Sequence, residues 1–213
     1  MISRIFYTLT FMTLVLSVSL FGAGGKPQTD NTAALISIGQ PAPDFTAIDS
    51  NGDPQTLSQY RGKTVVLEWK NHLCPFVVKH YISQNMQSLQ QYAVENGIIW
   101  LSIISSAPGK QGYCTPQQAN EISLNEQSFA SSILLDSSGD IGRLYQAKTT
   151  PHMFVINKKG TLVYRGAIDS VRSSDPSDIP LATNYVKDAL RSLLNKEPIA
   201  VTETAPYGCS VKY

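Results

Sequence analysis

The stretch Glu68-Trp69-Lys70-Asn71-His72-Leu73-Cys74-Pro75-Phe76-Val77 decides how this chain is read. A β-branched run, Thr64-Val65-Val66-Leu67, leads into it, and an apolar-periodic segment from Pro75 to about Glu95 leads out. Cys74 therefore stands where a buried strand hands over to a helix. Pro75 suits the first helical position, because its missing N–H is not needed there and its φ is already helical; Cys74 is then the N-cap. A thiol at that position meets the positive end of the helix dipole and unpaired backbone N–H groups. Both favour thiolate, the reactive form. The competing reading is a buried structural cysteine, the commoner state of an arbitrary Cys.

Working outward, Thr64 to Lys70 reads as a strand hydrophobic enough to be buried on both faces. In the helix that follows, Val77, Val78, Tyr81, Ile82, Met86, Leu89, Tyr92 and Ala93 recur at three- and four-residue spacing and form one apolar face. Asn96-Gly97 ends it, and Ile98 to Ile104 is a second buried strand. Strand, helix and strand with tight links imply a parallel, right-handed crossover. Upstream, Phe45–Ile48 and Pro54–Leu57 flank Asn51-Gly52-Asp53 and read as a β-hairpin. Downstream, Thr115-Pro116 caps a polar helix running to about Ser128, Ile133–Asp136 is a short strand, and Ile141–Tyr145 a helical turn. His152–Asn157 and Thr161–Gly166 form an antiparallel hairpin around Lys158-Lys159-Gly160. A polar loop, Ser170–Ile179, precedes a last amphipathic helix, Leu181–Asn195. This order is that of an α/β, thioredoxin-like fold: a central mixed β-sheet flanked by helices, with the early hairpin as an N-terminal extension. The expected domain is 38–197, followed by a tail, 198–213, that carries Cys209.

The first residues differ in character. Met1-Ile2-Ser3-Arg4 is short and basic, Ile5 to Phe21 holds no charge, and Gly22-Ala23-Gly24-Gly25 follows. Residues 1–24 read as a secretory signal peptide, with an uncleaved membrane anchor as the alternative, and 25–37 as a polar linker. The expected localisation is extracytoplasmic, periplasmic or secreted. Export would put the three cysteines in an oxidising compartment, and an odd number leaves at least one without an intramolecular partner. The formal net charge of +1 over 213 residues offers no electrostatic case for nucleic acid as a partner.

Pro43-Asp44-Phe45, Cys74-Pro75-Phe76-Val77 at the strand–helix junction, and Thr150-Pro151-His152-Met153-Phe154-Val155-Ile156 together resemble the redoxins. These are the alkyl hydroperoxide reductase/thiol-specific antioxidant relatives on the thioredoxin fold. The similarity is greatest to exported peroxiredoxin-like members with a CPFVxKHY stretch, a TTPHMFVI stretch and a C-terminal YGCSVKY. It runs from about Ile38 to Tyr213. The resemblance implies that Cys74 is the redox nucleophile of a peroxiredoxin-like antioxidant and attacks a peroxide; attack on a protein disulfide is the alternative, and a non-catalytic, metal-handling or partner-recruiting module of the same fold the second. Either reaction requires an external thiol reductant protein and no cofactor. Val77 holds the place of the second Cys of a thioredoxin CxxC, so Cys74 has no neighbouring disulfide partner. Pro151 matches the cis-proline that faces the active cysteine, exposing the Thr150 backbone to an extended substrate or to the sulfur. Pro75 belongs to the same motif and is assigned to substrate binding with Thr150 and Pro151. Glu68, six residues before Cys74, matches a buried carboxylate suited to carry a proton to or from sulfur. The competing reading is a strand Glu that faces water or pairs with Lys70. Two positions depart from typical peroxiredoxins, which place a Thr three residues before the Cys and an Arg opposite. Here Asn71 holds the Thr position, able to donate and accept hydrogen bonds, and Arg143 or Arg165 would have to supply the charge.

A cycling Cys74 requires a second thiol to resolve its sulfenate. Cys209 is the favoured candidate, in a tail able to reach a distant site and inside the YGCSVKY motif. Pairs involving Cys114, or none, remain alternatives. His72 and His152 flank the expected site. Beside Cys74 and Cys209 they are the only basis for a metal-handling alternative, and no CxxC or HxxxH spacing supports it, so no metal site is assigned. His80, Lys79 and Tyr81 are expected as surface or core positions of the helix, and Trp69 and Trp100 as core.

Overall fold

The computed structural model describes residues 36–213. The signal-peptide or anchor reading of residues 1–24, and the linker up to residue 35, lie outside the described residues. Packing within the described part begins ahead of Ile38, because Ile36 is already buried in the core. No helix among the described residues is long and apolar enough to cross a membrane.

A short antiparallel hairpin, β1 (Thr46–Ile48) and β2 (Pro54–Thr56), precedes a 3-10 turn over Leu57–Tyr60. β3 (Val65–Trp69) follows, then helices α1 (Pro75–Ile82) and α2 (Asn85–Glu95), and then β4 (Ile99–Ile104). Next come α3 (Pro116–Asn125), β5 (Ser132–Leu135), α4 (Asp140–Leu144) and β6 (Thr149–Thr150). The hairpin β7 (His152–Ile156) and β8 (Leu162–Gly166) leads to α5 (Tyr185–Asn195) and, in the tail, β9 (Cys209–Ser210). The main sheet has five strands in the order β5-β4-β3-β7-β8. β3, β4 and β5 are parallel; β7 and β8 run antiparallel. The sheet is mixed because the parallel half is built by crossovers and the other half by a tight hairpin.

Pleating sends alternate β3 side chains to opposite faces. Val65, Leu67 and Trp69 join Leu101, Ile103, Phe154, Phe45 and Tyr145 on one side. Val66 joins Trp100, Met153 and Val155 on the other, against Val77 and Tyr81 of α1, Met86 and Leu89 of α2, and Val186 and Leu190 of α5. Glu68 shares the pleat direction of Val66, so it points under α1 and α2 rather than to water. β3 is buried throughout, as its unbroken apolar run implies.

Two expectations need correction. The single helix from Pro75 to about Glu95 is two helices, because Gln84 adopts a left-handed conformation (φ 60°) and restarts the chain. The periodicity hides this break, since both halves bury their apolar side chains in one cluster. The last helix begins at Tyr185, not Leu181. The Asn184 side chain accepts from Lys187 N and caps it there, and Pro176–Leu181 forms a separate 3-10 turn. The tail packs back onto the domain. It runs parallel to β8 at Glu203, pairs as β9 with β6, and is tied beyond that by Ala107 N to Lys212 O at 2.8 Å.

Candidate active site

Cys74 is the N-cap of α1 with Pro75 at its first position. The loop that delivers it from β3 is braced by Asn71. Leu73 N donates to Asn71 Oδ1 (2.9 Å), Cys74 N donates to Asn71 O (3.0 Å), and Asn71 Nδ2 reaches Gln111 O (3.3 Å). Asn71 is thus committed to holding the loop. Gly112 lies so close that a Cβ there would meet Asn71 Oδ1 at 2.4 Å.

The Thr150–Pro151 peptide is cis. The Thr150 carbonyl faces Cys74, and the thiol form of Cys74 donates to it at 3.1 Å. The β6–β9 ladder places Cys209 directly opposite Thr150. The Cys74 and Cys209 sulfurs lie 2.6 Å apart, across 135 positions of sequence. The tail comes this close because residue 208 is glycine. Its φ is +133°, and a Cβ there would stand 2.0 Å from the Thr150 oxygen. Under this cover Cys74 is 0% exposed, while Cys209 is partly open.

The two thiols are electrostatically unlike. Burial opposes ionisation of Cys74, but hydrogen bonds from the Cys209 thiol and from the backbone outweigh it and hold its pKa below that of an ordinary thiol. Burial and the neighbouring Cys74 sulfur push Cys209 up to about 11. Of the two, Cys74 is therefore the thiol that ionises first, with the Cys209 thiol as a donor to its sulfur. Cys114, the third cysteine, packs separately with Ile104, Ala119 and Ile133, and burial raises its pKa.

Glu68 is fully buried. It accepts from Trp100 Nε1 and Ser102 Oγ, each at 2.8 Å, from Tyr81 OH at 3.0 Å and from Gln90 Nε2 at 3.3 Å. Its pairing with Lys70 does not form. Lys70 instead binds Glu126 and lies 4.0 Å over the Tyr81 ring. None of these Glu68 bonds is to Cys74, so the carboxylate sits under the site within a donor nest.

The arginines expected to supply charge are engaged elsewhere. Arg165 holds Glu203 and the Ile36 carbonyl; Arg143 holds the Ser138 carbonyl and lies over the Tyr213 ring. His152 is buried against Phe154, its Nδ1 accepts from Lys148 N, and burial with Arg165 nearby lowers it to about 3. Among the described residues no group of three or more His, Cys, Asp or Glu converges as a metal site.

Several residues with no individual signal in the reading above complete the arrangement: Gly208, Tyr207 and Asp169. Lys79 was expected at the surface or in the core of the helix. It is fully buried and reaches the same cluster.

No curated protein matches the chain. Solved structures do. An uncharacterized conserved protein from Geobacillus kaustophilus is 21% identical, with a TM-score of 0.74 over 84% of this chain and 94% of its own. A hypothetical protein from Sinorhizobium meliloti is 22% identical, with a TM-score of 0.67 over 84% and 95%. A thiol:disulfide interchange protein from a Bacteroides species is 16% identical, with a TM-score of 0.53 over 75% and 91%. These likenesses establish a shared thioredoxin-like fold. The AhpC/TSA family profile matches residues 38–165, from the segment ahead of the hairpin into β8, and with the strand–cysteine–helix junction inside that span the chain belongs to the AhpC/TSA family.

Proposed function

We propose that this protein is a thiol-dependent oxidoreductase whose working unit is the Cys74/Cys209 pair, cycling between dithiol and disulfide. The observation that carries the reading is the 2.6 Å approach of a thiolate-favouring Cys74 to a Cys209 with a raised pKa. Cys74 thiolate attacks a substrate disulfide, forming a mixed disulfide and releasing one substrate thiolate. Cys209 then loses its proton, its sulfur attacks Cys74 Sγ, and the second substrate thiol leaves. Two electrons pass to the substrate and a Cys74–Cys209 disulfide remains. An external thiol reductant protein restores the dithiol by the same exchange in reverse.

Peroxide reduction is the second reading, favoured by membership of the AhpC/TSA family. In it Cys74 thiolate takes one peroxide oxygen as sulfenate, the other leaves as water or alcohol, and Cys209 condenses with the sulfenate, releasing water. Disulfide exchange stands first here, because Arg143 and Arg165 are both engaged away from Cys74 and Asn71 is spent on its loop. The apolar run Ile5–Phe21 supports action outside the cytoplasm.

The test mixes reduced protein with a model protein disulfide and, separately, with hydrogen peroxide, following thiol loss in wild type and Cys74→Ser. A Cys74-dependent reaction faster with the disulfide supports the first reading, and one faster with peroxide supports the second. Equally slow reactions of both proteins with both oxidants refute the redox assignment.

A further inference from the structure

Three residues from separate parts of the chain meet beneath the tail. Lys79 lies one turn into α1 from Cys74, Asp169 follows β8, and Tyr207 stands two residues before Cys209. All are buried, at 1%, 2% and 4% exposure. The Tyr207 hydroxyl donates to Asp169 Oδ1, which also accepts from Val171 N at 3.1 Å. Lys79 Nζ donates to Val171 O at 3.2 Å and stands 3.8 Å from Asp169 Oδ2. It also lies 5.6 Å from the centre of the Tyr207 ring. Phe76, on the same helix, packs edge-on against Tyr207 with ring centroids 5.9 Å apart. Burial and the Asp169 carboxylate both raise the Tyr207 phenol, so it stays protonated and remains a donor.

A buried lysine and aspartate contribute little to stability, since well-packed apolar residues of similar volume commonly do as well. What this cluster supplies is position. It joins the helix that presents Cys74 to the segment that presents Cys209, and between Tyr207 and Cys209 only Gly208 intervenes. We propose that Asp169, steadied by Lys79, is a positioning residue that holds Tyr207 and thereby sets the Cys209 sulfur against Cys74. The proposal rests on reading Cys74 and Cys209 as a redox pair.

The test equilibrates the protein with mixtures of reduced and oxidised glutathione, then quenches with acid. Each Cys74–Cys209 disulfide formed consumes one oxidised glutathione and yields two reduced ones, so its fraction gives an equilibrium constant. A second constant, for the Cys74–glutathione mixed disulfide, is measured in a Cys209→Ala background. Tyr207→Phe keeps the ring packing and removes the donor. The first constant is expected to fall about tenfold, as for loss of one hydrogen bond to a charged acceptor, with the second unchanged. Asp169→Asn keeps a carbonyl acceptor and loses the charge. A smaller fall, about threefold, is expected, and it serves as the readout if Tyr207→Phe does not fold. An unchanged first constant, or an equal fall in both, overturns the positioning role and leaves the redox pair standing. A wild type that forms no Cys74–Cys209 disulfide at any ratio overturns the redox pair, and the positioning role with it.

Discussion

Gly208→Ala is the sharpest perturbation of the proposed site. Gly208 holds a φ of +133°, and an added Cβ would lie 2.0 Å from the Thr150 oxygen and 2.8 Å from its carbonyl carbon. Since a Cβ does not approach such an atom closer than 3.0 Å, the tail must retreat by at least 1.0 Å. That retreat breaks the two-residue pairing of Thr149–Thr150 with Cys209–Ser210. Backbone strain at this φ costs about 1–3 kcal/mol and each lost backbone hydrogen bond about 1 kcal/mol, so the docked tail is disfavoured by roughly 3 kcal/mol. This corresponds to about a hundredfold lower Cys74–Cys209 equilibrium constant against glutathione. The domain itself stays folded, because Thr204 Oγ1 still accepts from Ala167 N and Lys212 O from Ala107 N. The assay is the glutathione equilibrium, with thermal unfolding as the control for folding. A constant within threefold of wild type would show that Cys209 reaches Cys74 without the close approach at Thr150, and the reasoning would fail.

Further outcomes follow from the same geometry. Because the Cys209 thiol helps lower the pKa of Cys74, Cys209→Ala should raise it, read by ultraviolet thiolate absorbance; an unchanged titration would show that Cys209 is not what lowers it. Cys209→Ala should also let excess hydrogen peroxide carry Cys74 to sulfinic acid, seen by mass spectrometry, where the wild type stops at the disulfide. Glu68→Gln turns an acceptor nest partly into donor against donor, with Trp100, Ser102, Tyr81 and Gln90 all aimed at it; a loss of about 2–4 kcal/mol is expected in urea unfolding, and a neutral result would contradict the assigned bonds. His80 and His152 are held neutral by burial, each lowered to about 3 from 6.5. The unfolded chain therefore takes up protons that the native state refuses, and stability falls as pH drops below 6.5, by up to about 1.4 kcal/mol per pH unit for each histidine. Urea midpoints that hold level from pH 6.5 to 5 would argue against neutral burial of both rings.

Much of the fold is legible residue by residue, because its signals are local. β-Branched runs at Thr64–Leu67 and Ile98–Ile104 mark strands buried on both faces, and the Cys74-Pro75 pair marks a helix start. The Thr115-Pro116 start is equally visible, with the Gln118 side chain completing a capping box. The break at Gln84 is not legible. No Gly or Pro announces it, and apolar spacing runs through it because both helices feed one cluster. The start of the last helix is no more legible, because Leu181 extends the apolar pattern, whereas the Asn184 cap decides the boundary.

The candidate site divides the same way. Sequence by itself determined which thiol sits at a helix N-terminus, that its CxxC partner is missing, and that Cys209 lies in a tail with the length to return. These follow from adjacency and residue type. Only the tertiary structure decided that the tail becomes a strand against Thr150, that Gly208 permits the contact, and that Asn71 and both arginines are spent elsewhere. It also decided that Glu68 faces Trp100, Ser102, Tyr81 and Gln90, and that Lys79, Asp169 and Tyr207 converge. The reason is physical. A two-residue strand has no periodicity to read, and the bonds of Glu68, Tyr207 and Cys74, between positions 13 to 135 apart, depend on how sheet and helices stack, which no local window of sequence contains.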